Sequence, residues 1–337
     1  MLRNLLLTIL LLCAYASAQE APLPTARALP PHVISEIGVF ERVEQGWRCR
    51  SANEPRPKLL SDLQIGDVLL SIDGQALTNS TAIGFIQQLR LFDLELVTDV
   101  EVLRNGQHLK WTDTSAPPQI IAAQESRKVL RSSVPPVHEG DMLVALGPTS
   151  LTTLLAQVKN PLTALANIEV RSGKVLHVNR DGRDVDVTAE RAAMLRLLQF
   201  DLELGAEMPQ TVRLHGLNTT DVSLTALRGR WTLLHFWATW CVPCVRHLPE
   251  IRDLAQQPNL ALAAIGFADT EDRLSAAGAQ DKDLKVYAPD ANLQRVLAIT
   301  GIPFDVLLDP HGSAVLITAG NMRPGKLRDL VMQYMRQ

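Results

Sequence analysis

The feature that leaves a chain like this the fewest folds is the run LLHFWATWCVPC, residues 233–244. It is an apolar segment that ends in two cysteines separated by Val242 and Pro243. A buried strand that stops at Cys241 and gives way to a helix puts that sulfur where the first backbone N–H groups of the helix lack partners. Such donors stabilise a thiolate and pull a thiol pKa below about 8.5. Cys244 lies one turn deeper, within reach to close a disulfide. Pro243 fixes the turn and removes one donor. Trp240 shields the sulfur on one side and leaves a flat apolar face beside it.

The chemistry such a pair serves best is exchange: the Cys241 thiolate attacks a partner disulfide and Cys244 resolves the mixed intermediate. Other uses compete. A permanent structural disulfide would close too short a loop to constrain the unfolded chain much. Zinc usually wants a second Cys-x-x-C or a His pair at ligand spacing, and neither is present, although Cys241, Cys244 and His247 leave room for a copper or zinc ion. Haem attachment wants His directly after the second cysteine, where Val245 stands. No cofactor is expected.

At 337 residues the chain is long enough for two or three domains. A net charge of −3, with no Lys/Arg block, gives no field to attract nucleic acid. The opening MLRNLLLTILLLCAYASAQE has the parts of a secretory signal: Arg3, the apolar run Leu5 to Leu12, and Ala16-Ser17-Ala18 ahead of cleavage after Ala18. The alternatives are an uncleaved membrane anchor and lipidation at Cys13, against which Leu12 counts. Cleavage leaves Cys49, Cys241 and Cys244 of the four cysteines, too few for a disulfide-stapled scaffold. Cys49 reads as a small buried hydrophobe or, alternatively, a partner thiol for the pair.

The front half looks duplicated. Gly66-Asp67 opens a strand, a turn at Asp73-Gly74 and a helix from Thr81 to Leu91, then a hairpin at Asn105-Gly106. Gly140-Asp141 opens the same order, closing at Asp181-Gly182, with about 40 residues from first to last glycine in each copy. LQIGDVLLSIDGQAL followed by VEVLRNGQ resembles a bacterial PDZ domain over residues 33–113. Residues 121–189 resemble it more loosely, lacking the Asp-Gly turn. The resemblance implies peptide docking by strand addition at a sheet edge, with Gly38 or Gly46 in a carboxylate-binding loop. Residues 19–32 read as a linker. Ala192, Leu195, Leu198 and Leu202 sit at helical spacing, which predicts a linker helix over 190–204.

From residue 205 the pattern is α/β: buried strands WTLLHFWAT and LALAAIGFA, a hairpin at His311-Gly312, and a terminal helix from Lys326 to Met335. LLHFWATWCVPC, Pro249 and GIPFDVLLDPHG together resemble the TlpA/ResA-like branch of the thioredoxin superfamily. The fold class expected is multidomain: two small mainly-β PDZ-like domains followed by an α/β thioredoxin-like fold with a mixed central sheet over 205–337. The resemblance puts Pro303 in the place of the family's cis-proline, where a substrate segment docks. It implies a disulfide-bearing client protein and a membrane partner that supplies electrons. His235 stands where thioredoxins carry a buried acid, and His247 where this branch often has Glu. Both are candidate proton handlers. Imidazoles in place of carboxylates, with Arg246 beside them, favour the thiolate and so a less reducing pair.

The reading is therefore an exported, periplasm-type thiol–disulfide oxidoreductase whose PDZ-like half positions a client or binds a peptide. Two alternatives are a PDZ scaffold with a redox-sensing head and a copper metallochaperone.

Overall fold

The computed structural model describes residues 29–336 apart from 55, 78–79, 92–93, 158–164, 199–201, 203–204 and 206. The expected leader and residues 19–28 of the expected linker lie outside the described residues. No described helix is long and apolar enough to cross a membrane.

The first repeat contains β1 (His32–Ser35), β2 (Gly38–Val43), β3 (Gly46–Ala52), β4 (Val68–Ile72), β5 (Gln75–Ala76), helix α1 (Ala82–Leu91), β6 (Asp99–Arg104) and β7 (Gln107–Thr112). The second contains β8 (Gln119–Ala123), β9 (Val129–Ser132), β10 (Met142–Leu146), β11 (Thr149–Ser150), α2 (Leu151–Gln157), β12 (Leu165–Val170), β13 (Val175–Arg180), β14 (Arg183–Thr188) and β15 (Ala193–Leu198). The expected linker helix over 190–204 is thus corrected to a strand. β15 lies between β12 and β8, and Leu195 and Leu197 are buried in the second repeat's core. Leucine suits a helix, but pairing on both edges outweighs that local preference. The second unit accordingly runs from residue 119 to 198 rather than 121–189.

What makes the two copies alike is an ion pair between a buried aspartate and a partly exposed arginine. Arg104, one residue before the Asn105-Gly106 turn, binds both carboxylate oxygens of Asp67 at 2.8 and 2.7 Å and also the carbonyl of Asp62. Arg180, before Asp181-Gly182, binds both oxygens of Asp141 at 2.7 Å and the carbonyl of Pro136. In each copy the carboxylate also accepts a backbone N–H three residues upstream, from Gln64 or His138. The Gly-Asp and hairpin signals are therefore the two ends of one clamp that ties the loop before a strand to the hairpin beside it.

The third unit carries β16 (Arg213–Leu214), β17 (Val222–Ser223), β18 (Trp231–Trp237), α3 (Val242–Ala255), β19 (Leu260–Gly266), α4 (Glu271–Gln280), β20 (Val286–Tyr287), α5 (Ala291–Val296), β21 (Phe304–Leu308), β22 (Ala314–Ala319) and α6 (Lys326–Met335). Its sheet is mixed: β18 is parallel to β19 and antiparallel to β21. It does not stand alone. β22 pairs in parallel with β1 of the first repeat, His32 opposite Leu316 and Ile34 opposite Thr318, so both units share one 12-stranded sheet.

The seam is reinforced on both faces. On one, Phe40, Trp47 and Phe85 of the first repeat belong to the same buried cluster as Phe236, Phe304 and Ile317. Gln87 on α1 donates to the carbonyl of Val296, and Arg90 donates to that of Gly301 while lying 5.2 Å from the Phe304 ring. Burial pushes the Arg90 pKa down. On the other face, the Tyr334 hydroxyl of α6 donates to Pro30 and shares a hydrogen bond with His32.

This arrangement overturns the expected peptide loop at Gly38 and Gly46. β2 is flanked by β1 and β3, and β3 by β2 and β4, so neither strand has a free edge. A Cβ on Gly38 would lie 2.2 Å from the carbonyl oxygen of Ser51, and one on Gly46 2.2 Å from that of Leu69. The two glycines admit close strand approach, at φ values of 149° and 159° that side chains disfavour.

We expect Asp141→Asn to lower stability at pH 7 by about 1–2 kcal/mol, the order for losing hydrogen bonds to a charged group whose partner is partly open to solvent. Hydrogen bonds from Arg180 hold the Asp141 carboxyl below its usual range. The pair's contribution is then full above the unfolded carboxylate pKa of about 4 and fades as pH falls through the lower folded value. Chemical denaturation should show the gap between variant and wild type closing in acid. A gap undiminished at about pH 2 would exclude this cause.

Candidate active site

β18 is buried along nearly its whole length and carries the chain into the cysteine pair at the end of the sheet. The connecting turn is held from outside. Asp269, just past β19, accepts from the Thr239 N–H and hydroxyl at 2.7 and 2.6 Å, and the Trp240 indole donates to the Ala268 carbonyl at 3.0 Å. Asp269 was not foreseen from the sequence; it is the first of three acids, with Glu271 and Asp272, that follow an apolar strand.

Cys241 is the N-cap of α3. Its sulfur accepts the Cys244 N–H at 3.2 Å, and the two cysteines form a disulfide with Cα atoms 5.2 Å apart. Pro243 sits in the first turn, where a missing N–H leaves no bond unmade. Cys241 is 4 % exposed and Cys244 fully buried, so the outer sulfur is less open than a freely accessible thiol. Around it the surface is apolar: Trp240, Val242 and Val245 are three of the six large hydrophobic side chains exposed among the described residues.

The Ile302–Pro303 peptide is cis, and Pro303 accepts a hydrogen bond from the Gly320 N–H at 2.9 Å. Ile302 packs against the cluster that contains both cysteines, which brings this loop to the same end of the sheet.

The two histidines part company. His235 is fully buried in β18, its Nδ1 2.7 Å from an oxygen of Asp305. His247 is buried on α3, but its Nε2 is 3.2 Å from Asn321 Oδ1 and 3.1 Å from the Met322 carbonyl. It borders a cavity of about 360 Å³ lined by Arg246, Glu250 and Arg328. Glu250 caps α6 by accepting the Gly325 and Arg328 N–H groups. The His247 ring thus braces the loop before α6, which argues against its joining the cysteines around a metal. Among the described residues no three His, Cys, Asp or Glu side chains converge in ligand geometry.

Cys49 is a free thiol buried in the first repeat, in the cluster on the opposite side of the sheet from the cysteine pair. Burial pushes its pKa up. Of the two readings open for it, the buried hydrophobe holds. After reduction we expect alkylation of the native protein to place a fast adduct on Cys241 alone, with Cys49 reacting only on unfolding. Equal labelling of both would contradict the burial described here.

Residues 204–317 match the AhpC/TSA family model. The thiol:disulfide interchange protein CycY of Rhizobium leguminosarum bv. viciae is 28% identical over 92 residues, 27% of this chain and 39% of that protein. The thioredoxin-like protein YneN of Bacillus subtilis is 29% identical over 116 residues, 34% of this chain and 58% of its own. The thiol-disulfide oxidoreductase ResA of Oceanobacillus iheyensis is 33% identical over 127 residues, 35% of this chain and 66% of its own. The chain therefore spans between about two fifths and two thirds of these relatives' lengths. Its C-terminal part is a thioredoxin-like domain of the AhpC/TSA kind, and the region in front is rich in strands.

Proposed function

We propose that this chain is an exported thiol–disulfide oxidoreductase that exchanges disulfides with protein clients through Cys241 and Cys244. One observation carries the reading: the less buried sulfur caps the cysteine-bearing helix and accepts the Cys244 N–H, while the second sulfur lies fully enclosed one turn below. The N–H groups at that terminus favour a thiolate on Cys241 once the disulfide is open. Attack on a client disulfide then forms a mixed disulfide. Cys244 displaces the client sulfur and restores the internal bond.

In this reading Trp240, Val242 and Val245 give the client an apolar landing surface, and Pro303 lends its loop as a docking edge. Pro243 limits how strongly the thiolate is held, and His235 handles the resolving proton. A membrane partner would supply electrons from outside the chain, and the leader would direct export and be removed after Ala18. The direction of net electron flow follows from potential and partner.

The PDZ-like reading of the two repeats rests on the shared Asp–Arg clamp and turn order. Their role changes with the paired edges of β2 and β3: the first repeat acts as a scaffold for the redox unit rather than as a peptide-capturing groove. A PDZ scaffold with a redox-sensing head is correspondingly disfavoured.

Cys244→Ser should stall the mixed disulfide on Cys241, and mass spectrometry should identify what is attached there. The wild type should precipitate reduced insulin chains in a turbidity assay with dithiothreitol. Absence of any trapped adduct together with inert insulin would remove this function. Separately, His247→Glu places a second carboxylate beside Glu250 and makes the local field more negative. We expect it to lower the reduction potential, measured against glutathione. A higher potential in the variant would reverse the assignment.

A further inference from the structure

Three polar side chains cross the otherwise apolar centre of the redox sheet in a single row. Strand register sets His235 opposite Asp305 and Asp305 opposite Thr318. Their exposures are 0, 3 and 0 %. Asp305 receives His235 Nδ1 at 2.7 Å on one oxygen and the Thr318 hydroxyl at 2.9 Å on the other. A carboxylate that accepts on both oxygens holds the imidazole proton on Nδ1 and leaves Nε2 as a bare lone pair.

The row lies on the sheet face whose cluster includes the cysteines. Side chains two residues apart on a strand share a side of the sheet. Leu233 and Trp237, flanking His235, belong to the cluster that contains Cys241 and Cys244, as do Leu307 and Leu316 on the neighbouring strands. Yet Nε2 of His235 is buried with no hydrogen-bond partner. A core histidine kept for packing alone would be expected to satisfy both nitrogens, because an unmade buried bond is costly. Two other ionisable side chains on this side are engaged elsewhere: His247 with Asn321 and Met322, Tyr334 with Pro30 and His32.

We propose that Asp305 and Thr318 are positioning residues that hold the His235 lone pair toward the Cys244 sulfur, so that Nε2 gains its partner only when the disulfide is open. In the oxidised protein the Cys244 sulfur carries no hydrogen to donate. In the mixed-disulfide state Cys244 is a thiol, and its S–H proton passes to His235 Nε2. The resulting thiolate attacks the Cys241 sulfur, the Cys241–Cys244 bond forms, and the bond from Cys241 to the client breaks. The client sulfur leaves with the electron pair and takes up a proton. The client's disulfide is reduced and the cysteine pair oxidised.

This inference deepens the exchange reading and rests on it. Its test begins with nitrogen NMR of the full chain labelled at histidine. Nδ1 of His235 should carry the proton in both redox states, and the Nε2 resonance should move on reduction. An Nε2 signal indifferent to redox state would overturn the inference. Kinetics then separate the two steps. Asp305→Asn should slow release of the Cys241 mixed disulfide by about tenfold or more, as expected when a general base is mis-set. It should leave attack of Cys241 on a small aromatic disulfide within about twofold, since that step needs no proton from Cys244. Thr318→Val, close in shape, should act the same way but more weakly. Equal slowing of both steps, or of neither, would count against the positioning role. A wild type inert to every disulfide would instead defeat the exchange reading itself.

Discussion

The parallel pairing of β1 with β22 is the contact on which the rest of the molecule depends. Without it, β22 would end the redox unit's sheet as an unpaired edge, with its backbone groups open to any passing strand. The first repeat closes that edge with its own opening strand. The two hydrophobic clusters then form on either side of a continuous sheet rather than in separate beads. Two consequences follow. The end of α5 and the loop before Pro303 come to rest against α1, where Gln87 holds the carbonyl of Val296 and Arg90 that of Gly301. The strands that sequence reading offered for peptide capture lie inside the sheet and cannot accept another.

In the proposed exchange the work divides between a polar helix end and a buried polar row. The helix terminus acts on Cys241, from the outer side, through backbone donors that favour negative charge. The row would act from beneath, among residues shielded from water, where an unpaired nitrogen matters more than it would at the surface. Asp269 and Glu250 contribute from outside the pair: one pins the turn that carries Trp240, the other caps the helix after the loop that His247 braces.

The redox unit was the most legible part of the sequence because its signals are local. An apolar strand running into Cys241, the proline at 303 and the terminal helix from Lys326 to Met335 each declare themselves within a dozen residues. The duplication was legible through its Gly-Asp and Asn-Gly or Asp-Gly dipeptides, although the arginine that completes each clamp passed unnoticed. What stayed hidden depends on distant partners. Leu195 and Leu198 read as helix because nothing nearby reveals that β12 and β8 wait on either side. His235 and Asp305 are 70 residues apart, and only register joins them. Each was still visible as a lone polar residue in an apolar strand, a pattern worth matching across strands before either is assigned a role.

Amide hydrogen exchange on the intact chain tests the fused sheet most directly. The account predicts that amides of His32–Ile34 and Leu316–Thr318 exchange as slowly as those of β18 and open together with them. Rapid exchange at both strands while β18 stayed protected would mean that the first repeat and the redox unit are independent bodies.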